Sequence, residues 1–459
     1  MATHLHSTLD YVRTNYQQSC DELVSWCAIP SISSLPAHES DMQRAAEWTA
    51  ERLRHAGLQD VTILLTEGHP AVYGEFLGGG PQQPTILVYG HYDVQPALDT
   101  SLWESPPFEP QQRGDYLFAR GVSDMKGQAL ASIAAVEAHL QTGALPVNVK
   151  FLIEGEEEIM SPNLLELIRQ ERGRLTADYS LNNDSLMIAE DQPNIHYGLR
   201  GGVRVRLTIF GPSGDVHSGL FGGTIHNPGQ ALCELIAGMH DEDGFVLLPG
   251  FYDRVRELSP EEHSMLARLP MDEKYFLKAT GAPALWGESG FTPFERTTAR
   301  PTLEVLAMQV GSGIEGAPNI VPSRATAVLG MRLVPDQEPQ ECYLSLQRYL
   351  QAHVGGDIRW ELTYEHGDPP TLMNRNHPGM QAAYRALETT WGKPPLLTRM
   401  GGGIAAVSLL EREMGLPTVL IGAELPDSNI HGPNERLHLP TWRRNLEATT
   451  RFFLEARQG

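Results

Sequence analysis

Five places along this chain set carboxylates or histidines where an α/β fold would expose them. Gly90-His91-Tyr92-Asp93 follows directly on the apolar run Thr85-Ile86-Leu87-Val88-Tyr89, and open α/β sheets place ligands beyond the carboxyl ends of their strands. His91 and Asp93 lie two apart and point the same way while strand geometry lasts, so Asp93 can orient the imidazole. Gly121-Val122-Ser123-Asp124-Met125-Lys126-Gly127 precedes an Ala-rich helix; the simpler reading of Asp124 there is an N-cap. Glu154-Gly155-Glu156-Glu157-Glu158 sets four acids within five residues at the end of the buried-type strand Val147–Ile153. A charge run is usually a solvated face, but at a strand end such crowded like charges repel unless cations or protons neutralise them. Asp184 follows the strand near Tyr179, and His431, in Asn429-Ile430-His431-Gly432-Pro433-Asn434-Glu435, follows the strand Pro417–Ile421.

The set is then His, Asp, Glu, Asp and His, each expected just beyond a strand of one sheet. Imidazole and carboxylate suit zinc, manganese or cobalt better than calcium, and these ligands are too many for one tetrahedral zinc. Two ions sharing a bridging carboxylate use them all. Such a pair polarises a scissile carbonyl and acidifies a water, while a neighbouring non-ligand Glu takes the proton and delivers it to the leaving amine. Gly401-Gly402-Gly403, before a predicted helix, can offer N–H groups to a carboxylate or serve as a simple turn. Gly311-Ser312-Gly313-Ile314-Glu315-Gly316 fits a dinucleotide fingerprint, but Ala317-Pro318-Asn319-Ile320-Val321-Pro322 cannot open the helix that such a site needs. His4 and His6 read as exposed residues of an N-terminal segment.

The elements that position these residues alternate. Helical spacing covers 5–28 and 39–57; strand-like runs follow at 61–65, 71–77 and 85–89. A helix near 126–141, the strand 147–153, a helix near 162–172 and the strand near 179–181 continue the pattern, which implies a largely parallel sheet. After Gly201-Gly202 the strict alternation of Val203-Arg204-Val205-Arg206-Leu207-Thr208-Ile209 implies an antiparallel sheet with one polar face. Similar strands recur at 302–310, 325–334 and 357–364, with helix and loop decoration at 241–300. The first style returns after Pro378. The expectation is a discontinuous α/β domain, 1–202 plus 375–459, interrupted by an inserted α+β domain, 203–374.

Composition narrows the function. The 459 residues carry a formal charge of −22, which argues against a nucleic-acid partner. No window approaches the apolar length of a membrane span, and the N-terminus lacks a secretion-signal pattern, so a cytoplasmic protein is expected. Cys20, Cys27, Cys233 and Cys342 show no close pairing that would suggest a disulfide framework or a cysteine zinc site. The Asn183-Asp184-Ser185 glycosylation pattern is read as chance.

The ordered segments LVYGHYDVQP (87–96), GVSDMKG (121–127), EGEEE (154–158), HYGLRGG (196–202), DVHSGLFGG (215–223), MRLVP (331–335) and IHGPNE (430–435) resemble the two-zinc aminoacylase and carboxypeptidase-G type metallopeptidase family. They come closest to its carnosinase-like dipeptidase branch, and they span nearly the whole chain. The resemblance implies that His91, Asp124 and Asp184 hold one divalent ion, that Asp124, Glu158 and His431 hold the other, and that Asp124 bridges. It makes Glu157 the general base and Asp93 the partner of His91. Arg332 would bind a substrate's C-terminal carboxylate, assisted by Asn319 and His366, while His217 would reach across a homodimer to stabilise the oxyanion. The inserted domain becomes a lid and dimerisation domain. The implied activity is hydrolysis of dipeptides or small peptides with a free C-terminus. The alternatives are an N-acyl amino acid deacylase and a catalytically silent peptide-binding protein.

Overall fold

The structure, a computed structural model, describes residues 2–143, 145–313 and 318–457. The His4 side chain and Ile314–Ala317 of the glycine-rich fingerprint lie outside the described residues. The chain divides into two compact units: Met1–Tyr197, Met373–Thr398 and Ala405–Gly459 form the first, and Gly198–Leu372 with Arg399–Ile404 form the second. Gly401–Gly403, which the sequence reading counts with the outer domain, therefore belong to the second unit.

In the first unit, strands Asn148–Glu154, Thr85–His91, Tyr179–Asn182 and Thr418–Leu420 lie side by side and parallel. Ala71–Phe76 and then Gln59–Leu64 extend one edge in antiparallel fashion. Thr85–His91 is buried at every position after the first, as expected of a strand covered on both faces. The helix Gly127–Thr142 packs against it and beside Leu439–Ala456. That helix is buried continuously from Gly127 to His139, which explains its Ala-rich sequence.

Two expectations are corrected. The predicted helix over 5–28 is two helices, Ala2–Thr14 and Tyr16–Cys27; between them the Asn15 amide donates to the Tyr11 carbonyl at 2.9 Å, a side-chain bond that competes with helix continuation. The strand before Asp124, Tyr116–Phe118, is not part of the parallel sheet. It forms a small antiparallel sheet with Gln111–Arg113 and Arg436–His438, because the tight turn through Gly114, at φ +59°, folds it back on its neighbour.

The second unit holds the antiparallel sheet Thr302–Val310, Arg324–Leu333, Gly201–Phe210 and Arg359–Asp368, in that order. Val203, Val205, Leu207 and Ile209 on one strand, with Ala327, Leu329, Met331 and Leu333 on the next, turn one face into a core. The helices Pro228–Ala237 and Pro339–His353 pack against these strands. The intervening residues give the polar face that the alternation predicts.

One glycine of the acidic run is demanded by packing. A Cβ on Gly155 would sit 2.3 Å from the Tyr92 hydroxyl and 2.4 Å from its Cζ, and that hydroxyl is already bound to the Pro70 carbonyl at 2.6 Å. Gly155→Ala is expected to destabilise the first unit by about 1–3 kcal/mol through overpacking, read as a lower midpoint in urea with an unchanged slope.

Candidate metal centre

His91, fully buried at the end of its strand, is held from one side. Its Nδ1 lies 3.1 Å from the Asp93 carbonyl and 3.4 Å from the Asp93 carboxylate, so Nδ1 carries the proton and the Nε2 lone pair is left for a ligand. Nε2 is buried and makes no hydrogen bond of good geometry among the described residues, facing Asp124 Oδ1 at 3.2 Å and Asp184 Oδ2 at 3.8 Å. The Asp93 carboxylate has a second duty. It accepts the N–H groups of Glu157 at 3.2 Å and Glu158 at 3.0 Å, tying the turn that carries both glutamates to the histidine strand.

Asp124 caps no helix. Its φ of −111° and ψ of 98° are non-helical, and its Oδ2 lies 2.9 Å from His431 Nε2. His431 Nε2 is also 3.3 Å from Glu158 Oε2, which accepts a hydrogen bond from Gln95 at 2.8 Å. Two groups of three result, His91–Asp124–Asp184 and Asp124–Glu158–His431, with the ligand atoms of each group within 4.8 Å of one another. Among the described residues these are the only such groups. The orphaned, buried Nε2 of His91 and the mixed imidazole–carboxylate donor set fit divalent transition ions.

Electrostatics agree with a cluster built to be neutralised. Burial alone would lower the His91 pKa, but the facing carboxylates of Asp124, Asp184 and Asp93 raise it well above the ordinary value. Hydrogen bonds to Asp124 and then Glu158 raise His431 to about 10. Burial, reinforced by Asp184, Asp124 and Glu158 against the opposing charge of His91, pushes Glu157 well above the carboxylate range. The Glu157 carboxylate has no hydrogen bond among the described residues, whereas Glu156 is occupied, accepting from the His69 N–H and the Asn163 amide.

Three residues near the centre are given no role by the sequence. Gln95 is one; Glu424, buried with an unpartnered Oε1, is another. Burial, then the charges of Asp124 and Asp184, raise its pKa well above normal. Glu435, the third, was visible only as the last letter of a motif.

The remaining candidates belong to the second unit. His217 and Asn319 are neighbours: His217 pairs with Ile320 in a short ladder, and the Ser218 N–H donates to the Asn319 carbonyl at 2.9 Å. His217 Nδ1 accepts the Gly219 N–H at 3.1 Å. Arg332 and Asp368 flank Gly202 in adjacent strands, which puts Arg332 and His366 on the face away from the core; His366 hydrogen-bonds Asp368. The Gly402 carbonyl accepts the Arg200 N–H at 3.2 Å, and the Gly401 carbonyl accepts Arg200 Nε at 2.9 Å; Gly403 lies close against the Arg200 carbonyl. Arg200 is buried, and burial followed by the charge of Arg332 pulls its pKa down to about 9. Outside these sites His6 pairs with Asp10, its exposed helical neighbour.

Metal must displace protons from the ligand histidines, whose pKa the neighbouring carboxylates raise, that of His431 to about 10. Titrating metal-free protein with Zn²⁺ is expected to release protons, seen as calorimetric heats that differ between buffers of different ionisation enthalpy. Apparent affinity should rise with pH from 6 to 8, as His431 gives up its proton more readily.

Comparison with known proteins follows the same lines. The human Beta-Ala-His dipeptidase is 27% identical, over 99% of this chain and 93% of its own length. The Cys-Gly metallodipeptidase DUG1 of Candida albicans is also 27% identical, over 95% and 94%. The solved M20 family metallo-carboxypeptidase Sso-CP2 from Sulfolobus solfataricus superposes with a TM-score of 0.86 at 30% identity, covering 96% of this chain and 99% of that one. The model describing Peptidase family M20/M25/M40 matches residues 87–456, a span that contains every residue of the two ligand groups, and the chain belongs to that family.

Proposed function

We propose that this chain is a two-metal dipeptidase that cleaves the peptide bond of dipeptides or small peptides with a free C-terminal carboxylate. The observation that carries this reading is a pair of ligand groups sharing Asp124, with Glu157, whose carboxylate makes no hydrogen bond among the described residues, next in sequence to the ligand Glu158. The dipeptidase names of the relatives support it over an N-acyl amino acid deacylase, and a catalytically silent binding protein would not need Glu157. His91, Asp124, Asp184, Glu158 and His431 hold the two ions, zinc by preference, with manganese or cobalt as alternatives. When bound, the ions supply Lewis-acid polarisation of the scissile carbonyl and acidify a water.

The chain's own residues do the rest. Glu157, whose proton affinity burial raises, accepts a proton and carries it to the leaving amine. Asp93 holds His91 and the glutamate turn in place. Arg332, with its planar fork, takes the substrate carboxylate; the nearby buried charge of Arg200 supports an anion site there, and Asn319, His366 and the Gly402–Gly403 backbone assist. Nδ1 of His217 accepts a hydrogen bond, so in the neutral ring Nε2 carries the proton and can donate to a developing oxyanion. We assign that task to the site of the partner subunit in a homodimer formed through the second unit. The four free cysteines fit a cytoplasmic protein; no helix among the described residues is long and apolar enough to cross a membrane.

Glu157→Gln is expected to keep two ions per subunit and lose at least about two orders of magnitude in turnover. The parent should cleave free dipeptides and spare both C-terminally amidated dipeptides and N-acetyl amino acids. Preferred cleavage of the acetyl compounds would transfer the assignment to a deacylase.

The shared site has its own test. Glu157→Gln and His217→Ala subunits, each nearly inactive alone, are mixed under conditions of exchange. Random pairing leaves one intact site in each mixed dimer and restores about one quarter of the parent sites. Proven exchange without recovery would place His217 in its own chain's site or outside catalysis.

A further inference from the structure

Glu435 is completely buried, and its carboxylate is wrapped by the loop that carries Asp124. Oε2 accepts Arg120 Nη1 at 2.8 Å and the Gly121 N–H at 2.9 Å; Oε1 accepts the Ser123 N–H at 3.0 Å and the Asp124 N–H at 3.2 Å. Arg120, also buried, extends its other nitrogen to the Gly432 carbonyl at 3.0 Å and the Pro96 carbonyl at 3.4 Å. The Ala119 N–H returns to the Glu435 carbonyl at 3.2 Å. One ion pair thus joins the Asp124 loop, the His431 loop and the segment just after His91.

The His431 loop needs such a hold. Asn429, His431 and Asn434 all have φ near +59°, a region that residues other than glycine keep only when their surroundings fix it. The His431 side chain is 54% exposed, so packing does not orient it. His91 and Asp184, by contrast, stand at or just past the ends of buried strands.

We propose that Glu435, through Arg120, is a positioning residue that sets the occupancy of the second ligand group, Asp124–Glu158–His431, while the first group depends on it much less. The inference rests on the two-metal reading above. Glu435→Gln keeps the shape but replaces one accepting oxygen with an N–H donor, so part of the loop loses its anchor. Stepwise calorimetric titration with Co²⁺ is expected to show the first ion bound within about threefold of the parent and the second weakened about 10–100-fold, the scale for loss of a residue supporting metal ligands. Excess Co²⁺ should then restore turnover. Arg120→Lys keeps the charge, gives up the reach to Gly432 and Pro96, and should show a smaller loss in the same step; it decides the matter if Glu435→Gln does not fold. Glu137→Gln breaks another buried pair of the same unit, with Arg52, and should leave both steps unchanged. Parent-like steps in the two loop variants, equal weakening of both ions, or the same loss in Glu137→Gln would overturn the proposal. A parent that binds fewer than two ions would overturn the two-metal reading itself, and this inference with it.

Discussion

Crowded negative charge at one edge of a buried sheet is the constraint on which the first unit depends. Asp93, Asp124, Glu157, Glu158, Asp184 and Glu435 all sit where water is scarce, and an unpaired buried carboxylate is costly. The protein resolves this in two ways. Asp93 and Glu435 accept backbone N–H groups, so their oxygens are spent on organising loops. Asp124, Glu157, Glu158 and Asp184 accept no backbone N–H with their side chains among the described residues, and that leaves their charge for a cation or a proton to neutralise. Structure-holding and chemistry-bearing carboxylates are thus told apart by their donors.

The second unit solves an opposite problem. Its sheet buries one face and leaves the other polar, so cations can stand on it without distorting a core. Arg204 and Arg206 are matched there by Glu365. Arg200 is held by backbone carbonyls, and burial, then the charge of Arg332, lowers its proton affinity against the opposing charge of Glu304.

How far the sequence could be read depended on how local each signal was. The run before His91 and the run before the acidic stretch announce buried parallel strands, because apolar continuity is a local property that burial on both faces requires. The alternation after Gly201 announces the antiparallel sheet for the same reason. Asp124 was harder: its approach through a small hairpin and a non-helical turn looks, letter by letter, like the start of a helix. The break at Asn15 turned on a single amide. Glu435 and Arg120 were beyond reach, since an ion pair between residues 315 positions apart leaves no periodicity and no local composition bias.

That long separation also orders events in time. Asp124 and His431 meet across 307 positions, and at about 5–20 residues per second of synthesis the histidine emerges roughly 15–60 s after the aspartate. During that interval the nascent chain carries the acidic run and His91 with neither His431 nor the carboxylate of Glu435 to arrange the Asp124 loop. The strand Thr418–Leu420 and the helix Leu439–Ala456, which complete the first unit, are equally late. A chain in which His431 has not yet been made therefore cannot bring an imidazole to Asp124 and Glu158.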